Sequence, residues 1–530
     1  MGILLILAGL VVLLVLLWQW HYHKNKVYFE SKRIPYRGNG IFRVVLNSFK
    51  GLSILDDVIS SYKRDKAENA LVTGNNDFGV ITLGIQDPDL LKAILVKDFD
   101  HFADRRMFSA PKNDYLFKKM LFFQKGEQWK ALRSKLSPTF TTGKIKRLFS
   151  LFDQSGKKLV KYVEQEIGGN GDGGEFDIIE AYSKFTMDII ASSVCGIDSH
   201  AFDQKEPSFF EKMGQKMQLS FDGFTLLKII VISLSTTIGD FFGFSFFARD
   251  VQDFFSVAIK SSIHDRQVKN EKRNDFIQLM LEAREDKLKI EDHELDRFER
   301  DAIIKTETTT DKASTAELLD DDGIVANAVL FMLAGYDTTQ SLLIFVAYAL
   351  ALYPDIQDKL RTEIDQVLEE NGGEFSYDSL NKMTYLDMVI NETLRFYPPA
   401  TVTDRGCTKD YKIPGTEFIL KKGQGLIIPI YGLHHDADYF PEPEKFDPER
   451  FSAENKAKIN QYAYLPFGGG PRNCIGMRFA LAEVKVAISH LVHNFRIEPS
   501  KKTLIPMKFS KSNSLKPQGG MFLGLHKIQH

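Results

Sequence analysis

The sequence has few cysteines and no excess of charge of either sign. Its 530 residues include three cysteines, and 68 lysines and arginines stand against 70 aspartates and glutamates, for a net charge of −2. Three scattered cysteines exclude a disulfide framework and a zinc-binding pattern, and they favour a reducing compartment. The balanced charge argues against a protein that wraps a nucleic acid backbone. No linker or internal repeat divides the chain, so we expect one large folded domain after the N-terminus.

What the sequence does contain is largely apolar and aromatic. Hydrophobic residues make up 44% and charged residues 26% of the chain, and phenylalanine occurs 42 times. This composition is typical of a globular enzyme with a large core, and it excludes a disordered chain. The abundance of phenylalanine also favours an apolar ligand.

The N-terminus is strongly apolar. Ile3 to Leu17 carries no charge, and Trp18 to Trp20 extend this stretch to about the 17 residues that a helix needs to span a bilayer. The tryptophans stand where an interface belt would lie, and no cleavage pattern follows them. We therefore expect an uncleaved signal anchor at residues 1–23 and a hinge at 24–40, with Pro35 as its single proline. A cleaved secretory peptide is the alternative, and the low cysteine count disfavours it.

The body of the chain is predicted to be mainly α-helical with smaller β-sheet regions. The apolar residues of Gly126 to Gln366 recur at three- and four-residue spacing, whereas a strand begins at Gly79 and short strands alternate with turns from Thr408 to Pro429. Residues 291–322 hold twelve acids and four bases, which indicates a solvated surface connector. The basic residues that follow the anchor predict a cytosolic location for the body, residues 41–530.

Phe224 to Phe247 is a second apolar stretch. Lys228 and Asp240 lie inside it, and Gly239 and Gly243 interrupt it, so it is a poor candidate for a second membrane span. A loop that dips into the membrane surface and a plain buried helix are both compatible with this pattern.

The most informative stretch is Pro466 to Gly476, where three glycines and a proline predict an irregular loop directly before an amphipathic helix. Cys474 stands at the start of that helix, where unpaired N–H groups and the helix dipole stabilise a thiolate that could bind iron. An inert buried cysteine is the common alternative. A phosphate cradle is a poor fit, because no Lys-Ser/Thr follows the glycines. The apolar stripe of the predicted helix consists of Phe479, Ala480, Val484, Ala487, Ile488 and Leu491.

The same stretch matches the pattern F-x-x-G-x-R-x-C-x-G at Phe467, Gly470, Arg472, Cys474 and Gly476. In this pattern the chain resembles the cytochrome P-450 family of haem-thiolate monooxygenases. The resemblance implies the fold of that family, with haem between an oxygen-binding helix and the cysteine-loop helix, in a catalytic haem domain. Cys474 would be the axial ligand of a haem b iron, and Phe467, Arg472 and Gly476 would contact the cofactor.

A buried ion-pair cluster is the second feature that the resemblance implies. Glu392 and Arg395 are spaced i, i+3, which on its own would indicate an ordinary ion pair on a helix surface. In the family this pair is buried and joined by a third residue, here Arg450, and the three would be structural residues beneath the haem.

Further cations match haem contacts of the family. Trp129 and Arg133 share one face of a predicted helix, where a packing pair with a solvated charge would be the ordinary interpretation. The resemblance instead makes both donors to a haem propionate. Arg405 and His434 match other propionate contacts, and the adjacent His435 leaves that assignment ambiguous by one residue.

Ala334 to Thr339 lies within an apolar helix predicted over Val325 to Leu352. A mid-helix glycine costs about 1 kcal/mol relative to alanine, so Gly335 suggests that something needs room, and the resemblance assigns that room to dioxygen. Oxygen activation also needs a proton relay, for which Asp337 and Thr338 would be the catalytic residues. Without the resemblance, a mid-helix threonine more often bonds the carbonyl four residues back.

The sequence shows no flavin or nicotinamide fingerprint, so electrons must come from another protein. NADPH-cytochrome P-450 reductase, which would supply NADPH and flavins, is the partner that the resemblance implies, with cytochrome b5 as a second candidate. Between Lys118 and Arg147 nine bases stand against a single acid, Glu127, which favours a basic docking face. The ordinary alternative for such a charge run is a solvated helix face.

In its detailed sequence, at Phe99 to Asp104, Cys407 to Tyr411 and Gly519 to Leu523, the chain looks like insect endoplasmic-reticulum members that oxidise plant toxins and insecticides. The predicted function is therefore a membrane-anchored monooxygenase for apolar xenobiotics or endogenous lipids. A haem-thiolate isomerase and a non-catalytic haem sensor are the alternatives. By the same similarity, the substrate pocket would be lined by Tyr115, Leu116, Phe117, Phe221, Phe224, Ala334, Val402 and Met521.

Overall fold

The structure, a computed structural model, is mainly α-helical with small β-sheets, as the sequence predicts. It describes residues 2–38, 43, 53–77, 80–106, 111, 113–168, 173–203, 209–216, 228, 231–232, 236–285, 287–288, 318–510 and 515–529. The chain forms two compact units. The first consists of Met1–Met107 and Thr401–Leu433, and the second consists of Phe108–Ala400 and His434–His530.

Most of the regular secondary structure in the described residues is helical, and the strands between the helices are short. The α-helices are α1 Gly2–Ser31, α2 Ile54–Ala67, α3 Pro88–Lys92, α4 Gly126–Leu136, α5 Thr142–Ile167, α6 Ile178–Ile190, α7 Phe209–Lys216, α8 Thr236–Phe241, α9 Arg249–Lys269, α10 Phe276–Arg284, α11 Asp321–Leu352, α12 Pro354–Glu370, α13 Tyr377–Leu380, α14 Thr384–Phe396, α15 Ile430–His434, α16 Ala453–Lys456 and α17 Met477–Asn494. The strands are β1 Val72–Asp77, β2 Val80–Ile85, β3 Gly173–Asp177, β4 Thr403–Gly406, β5 Tyr411–Lys412, β6 Ile419–Leu420, β7 Gly425–Ile428, β8 Phe495–Pro499 and β9 Phe522–Lys527.

The first unit contains a four-stranded sheet in the order β1-β2-β7-β4, and β5 and β6 form a separate pair. β2 confirms the strand predicted from Gly79 onward, and it pairs in parallel with β7, which is distant in sequence. A helix follows β2 because the Asp87 side chain accepts the Leu90 N–H at 2.7 Å and Pro88 occupies the first helical turn. The short strands predicted between Thr408 and Pro429 are also confirmed.

The N-terminal apolar segment is helical, and its helix continues beyond residue 23, the expected end of an anchor. α1 ends at Ser31, after which Arg33 adopts a left-handed φ of 57° and its N–H bonds to the Glu30 carbonyl. Phe29 is fully buried and stacks on Phe418 at a centroid distance of 5.5 Å. The last turns of α1 therefore belong to the packed first unit, and the helix ends inside the predicted hinge, 24–40.

The second unit is built around α11, a helix of 32 residues. The helix begins four residues before the predicted Val325, because Asp320 caps it by accepting the Gly323 N–H at 2.7 Å. α11 is buried on nearly all sides and packs against α6 and α17. A helix that is apolar all round is expected at the centre of a large protein. The same unit holds an antiparallel sheet in the order β3-β9-β8.

Among the described residues, α11 is also the helix whose length and hydropathy would suffice to cross a membrane. However, 67% of its most apolar window is buried inside the protein. Its position in the core accounts for this composition, so α11 is no evidence for or against the anchor expected at residues 1–23.

The predicted acidic connector, 291–322, lies mostly outside the described residues. Its last acids belong to α11, because Asp320 is the N-cap and Asp321 and Asp322 occupy the first turn. Negative charge at a helix N-terminus interacts favourably with the helix dipole, so these three residues support the helix. The expected end of the connector at residue 322 is therefore corrected to residue 319 or earlier.

The apolar stretch from Phe224 to Phe247 lies partly outside the described residues, which include 228, 231–232 and 236–247. In the described part, Phe241 is 83% exposed and Phe242 is 61% exposed, whereas Phe247 is buried. A plain buried helix is therefore excluded for Phe241 and Phe242, because their side chains are exposed. The membrane-dipping loop stays a prediction.

Candidate active site

Cys474 lies in a loop whose backbone requires glycine. Gly468 and Gly470 have φ angles of 74° and 68°, in the left-handed region that residues with a side chain rarely adopt. The Cys474 N–H donates to the Phe467 carbonyl at 2.8 Å and so closes the loop. α17 begins directly after its N-cap, Gly476, which places Cys474 at the N-terminal end of this helix, as the sequence predicts.

The three cysteines, all within the described residues, differ in exposure. Cys195 and Cys407 are buried, whereas Cys474 is exposed. Desolvation raises the pKa of the Cys195 thiol to about 12 and that of the Cys407 thiol to about 11, so both stay protonated at neutral pH. The thiolate is the form that binds a metal. Cys474 is therefore the accessible thiol, and an inert buried cysteine is excluded for this position.

Helix α4 is tied to the cysteine loop by two arginines. Arg133 on α4 donates to the Asn473 carbonyl at 3.1 Å and to the Asn473 side-chain oxygen at 2.8 Å. Arg472, next to Asn473, places its guanidinium 4.0 Å from the ring centroid of the buried Trp129, a cation–π contact. Arg472 also donates to the Gln124 carbonyl at 2.7 Å. The structure thus brings Trp129, Arg133 and Arg472 together beside the residue that precedes Cys474.

Glu392, Arg395 and Arg450 meet in a buried cluster. Arg395 binds Glu392 through two hydrogen bonds of 2.8 Å, and both side chains are fully buried. Arg450 Nε lies 3.5 Å from Glu392 Oε1, and the Asp447 N–H donates to the same oxygen at 2.8 Å. Burial raises the pKa of Glu392, and the hydrogen bonds from Arg395 oppose that shift. The pair is thus not the surface ion pair that its spacing alone would indicate.

His434, a predicted haem contact, lies in the packing around Arg395. Its ring is fully buried and accepts the Leu465 N–H at Nε2 over 2.9 Å, while its carbonyl accepts Arg395 Nη1, also at 2.9 Å. Desolvation and the neighbouring His435 lower the pKa of His434 to about 3, so its ring is neutral. These contacts place His434 in the packing beside Arg395, and its contact with a haem propionate stays a prediction.

Arg405 belongs to the first unit, in β4. Its side chain is 1% exposed, and its Nη1 donates to the Asp404 carbonyl at 2.7 Å. Desolvation and the nearby Arg105 lower its pKa to about 9, so the guanidinium stays mostly protonated at neutral pH. A buried cation of this kind is stabilised by a bound anion. Its contact with a haem propionate stays a prediction.

One face of α11 departs from the burial of the rest of the helix. Ala334 and Thr338, one turn apart on the same face, are exposed although most of their neighbours are buried. The Thr338 hydroxyl donates to the Ala334 carbonyl at 2.6 Å, the bond that a mid-helix threonine commonly makes. The Asp337 carboxylate forms an ion pair with Lys516. The two predicted catalytic residues therefore lie at and next to this exposed face, and each has a contact within the protein.

Gly335 has a role in helix packing. A Cβ at this position would lie 2.5 Å from Cδ1 of Ile190 on α6, which is closer than real Cβ contacts come. The missing side chain of Gly335 thus allows α6 to approach α11. The expectation that Gly335 also leaves room for dioxygen stays a prediction.

Comparison with known sequences agrees with this geometry. Residues 80–524 match the sequence profile described as Cytochrome P450. The chain belongs to the cytochrome P450 family. Cytochrome P450 9e2 of Blattella germanica is 36% identical over 98% of this chain and 96% of the relative. Cytochrome P450 3A9 of Rattus norvegicus is 39% identical over 83% of this chain and 82% of the relative. Cytochrome P450 6k1 of Blattella germanica is 35% identical over 97% of this chain and 94% of the relative.

The residues of this P450 fit a haem, the cofactor of these haem-thiolate monooxygenases. Cys474 offers an accessible thiol at a helix N-terminus, where the helix dipole favours the thiolate. Arg133 and Arg472, beside the cysteine loop, provide guanidinium groups of the kind that bind carboxylates such as the haem propionates. The exposed face of α11 at Ala334 and Thr338 adds a surface of small side chains on a helix that packs against α17.

The predicted pocket residues of the P450 differ in exposure. Ala334 and Val402 are exposed, and the Tyr115 hydroxyl donates to the Gln252 carbonyl at 3.2 Å. Leu116, Phe117 and Met521 are covered by protein, with at most 3% of each side chain exposed. Phe221 and Phe224 lie outside the described residues. The pocket therefore stays a prediction.

Two residues of this P450 site were missed by sequence reasoning. Asn473 accepts two hydrogen bonds from Arg133, and its position next to Cys474 is a signal that could have identified it. Lys516 pairs with Asp337, but it lies far from Asp337 in sequence, in a segment without a catalytic pattern, so no sequence signal pointed to it.

Proposed function

We propose that this P450 is a membrane-anchored monooxygenase that inserts one oxygen atom from O2 into apolar substrates, using electrons from NADPH-cytochrome P450 reductase. The observation that carries the proposal is the exposed Cys474 thiol in a glycine loop at the start of α17. Xenobiotics such as plant toxins or insecticides are the proposed substrates, with endogenous lipids as the other class. The many phenylalanines of the chain support an apolar pocket.

Each candidate residue has a role that its own contacts support. Cys474 would hold the haem iron, and Arg133 and Arg472 would bind the propionates and orient the cofactor. Haem with a thiolate ligand binds dioxygen and favours O–O bond cleavage, whereas a histidine ligand suits oxygen carriage. The N-terminal amides of α17 and its dipole would keep the Cys474 sulfur ionised.

Proton delivery is the role that we assign to Asp337 and Thr338. Thr338 shares the exposed face of α11 with Ala334, and Asp337 is the residue next to it. A hydroxyl beside a carboxylate can pass a proton, because the carboxylate exchanges protons with water and the hydroxyl both donates and accepts. The Thr338 hydroxyl would keep its bond to the Ala334 carbonyl or exchange it for one to a water molecule at the exposed face.

Thr338→Ala tests this role. We expect the variant to fold and to bind haem and substrate, because it removes one hydroxyl from an exposed position. The product formed per NADPH should fall and the hydrogen peroxide released should rise, since proton delivery is disordered. Thr338→Ser keeps a hydroxyl and should retain the wild-type ratio. An unchanged ratio in Thr338→Ala would mean that the hydroxyl only serves its own helix.

Electron transfer requires a docking face, for which we propose the basic stretch from Lys118 to Arg147. Several of its cations are in ion pairs, namely Lys119 with Asp320, Lys130 with Glu127, and Lys146 with Asp378. Lys118, Lys125 and Arg147 are exposed. Opposite charge on a partner would steer association with such a face, and salt would weaken this effect.

Replacing Lys118, Lys125 and Arg147 together by glutamine should raise the apparent Michaelis constant for the reductase and flatten its salt dependence. Activity driven by added peroxide bypasses the reductase and should be unchanged. The matched control is glutamine at Lys382, Lys456 and Lys501, three exposed lysines outside the basic stretch. If both triple variants had the same effect, or if peroxide-driven activity fell equally, this docking face would be refuted.

Consumption of NADPH with purified reductase distinguishes the proposed function from the two alternatives. A monooxygenase should consume NADPH and O2 and form an oxygenated product. A haem-thiolate isomerase would rearrange a peroxide without reductase, and a haem sensor would form no product. Absence of NADPH-dependent product from a panel of apolar compounds, with peroxide rearrangement intact, would refute the proposal in favour of the isomerase.

The membrane location is proposed from the N-terminal sequence. Residues 1–23 would anchor the protein in the endoplasmic reticulum membrane, with the catalytic domain in the cytosol. The exposed Phe241 and Phe242 support a second contact with the membrane surface, because exposed aromatic side chains on a protein surface commonly mark membrane or protein contacts.

A further inference from the structure

The ion pair between Asp337 and Lys516 joins a proposed catalytic residue to the C-terminal part of the chain. The side chains are 25% and 26% exposed, so the pair is partly shielded from water. An ion pair at this degree of exposure is screened less than one on the open surface. It therefore constrains the Asp337 carboxylate more than a surface contact would.

The backbone around Lys516 is fixed by hydrogen bonds on both sides. The Ser510 N–H donates to the Lys516 carbonyl at 2.8 Å, and the Gln518 N–H donates to the Lys508 carbonyl, also at 2.8 Å. The Leu515 N–H donates to the Pro399 carbonyl at 3.2 Å. Because the backbone of Lys516 is held in place, less conformational entropy is lost when its side chain pairs with Asp337.

We propose that Lys516 is a positioning residue, which holds the Asp337 carboxylate in the orientation from which it delivers protons beside Thr338. This proposal rests on the proposed monooxygenase function. An aspartate side chain can adopt several rotamers, and a fixed cationic partner selects one of them. Lys516 thus acts through Asp337 and needs no contact with the substrate.

The test is a double-mutant cycle with Lys516→Met and Asp337→Asn, together with Lys516→Arg. Lys516→Met should lower the product formed per NADPH about threefold, a small part of the roughly 10²-fold that positioned proton transfer contributes. Lys516→Arg keeps a cation and should restore most of the ratio. In the double variant the ratio should be no lower than in Asp337→Asn alone, because Lys516 acts through that carboxylate. A wild-type ratio in Lys516→Met, or an additive loss in the double variant, would overturn the proposal.

A second measurement is independent of activity. In the same cycle, the denaturant midpoint of the double variant should equal that of the more destabilised single variant, since either change breaks the pair. Strict additivity would mean that the pair does not form in solution, and the proposal would fall.

Lys502→Met is the matched control, because Lys502 pairs with Glu175 at 2.6 Å in the same C-terminal region. Its ratio of product to NADPH should equal that of the wild type, and a loss as large as that of Lys516→Met would overturn a specific role for Lys516. Failure of the wild type to form product with reductase would instead refute the proposed function. The denaturation cycle needs no turnover and distinguishes the two failures.

Discussion

Replacing Cys474 by histidine should abolish both the red-shifted carbon monoxide band of the reduced protein and NADPH-driven product formation. The band reports a thiolate ligand, and a histidine ligand does not support the electron donation that favours O–O cleavage. The absorbance spectrum of the reduced protein with carbon monoxide measures the first effect directly, and product analysis with reductase measures the second. We expect a complete loss in both, because Cys195 and Cys407 are buried and cannot replace Cys474.

Cys407→Ala is the matched control for this experiment. Cys407 is buried, and its Sγ donates to the Lys409 carbonyl at 2.9 Å, so the change affects local packing in the first unit. The carbon monoxide band should persist in this variant. If Cys474→His kept the band and the activity, or if Cys407→Ala lost the band, the assignment of Cys474 as the ligand would be wrong.

Replacing Glu392 by alanine should destabilise the protein by about 3–5 kcal/mol, because it leaves the charge of Arg395 buried without its carboxylate. Both side chains are fully buried in the wild type, so water cannot solvate the remaining guanidinium. The free energy of unfolding from denaturant titration measures the effect, and the yield of haem-bound protein should fall with it.

Glu127→Ala is the matched control. Glu127 and Lys130 form an ion pair at 3.1 Å with the same i, i+3 spacing as Glu392 and Arg395. Glu127 is 70% exposed, so its loss should cost only about 0–1 kcal/mol. Equal unfolding free energies for the two variants would contradict the buried cluster. The two pairs share their spacing and the signs of their charges, whereas the Glu392 cluster is buried and has additional contacts with Arg450 and the Asp447 N–H.

Local sequence patterns predicted much of the fold. β2, the capped helix after it and α17 follow from β-branched residues, a capping Asp-Pro pair and an apolar stripe, all of which act over a few residues. The helix α11 begins four residues before its predicted start, because its capping residue, Asp320, lies inside an acidic run that looked like a connector. The end of α1 at Ser31 could not be predicted either, since burial of Phe29 against Phe418 depends on a distant part of the chain.

By itself, the sequence identified the glycine loop before α17 and the position of Cys474 in it. Two glycines with left-handed φ angles and a helix start place Cys474 through local backbone geometry alone. Only the tertiary structure decided what surrounds that loop and α11. Arg133 donates a hydrogen bond to Asn473, and Ile190 packs against Gly335. His434 packs beside Arg395, and Lys516 forms an ion pair with Asp337. These contacts join residues that are remote in the chain, and only the packing of whole helices and strands brings their side chains within hydrogen-bonding distance.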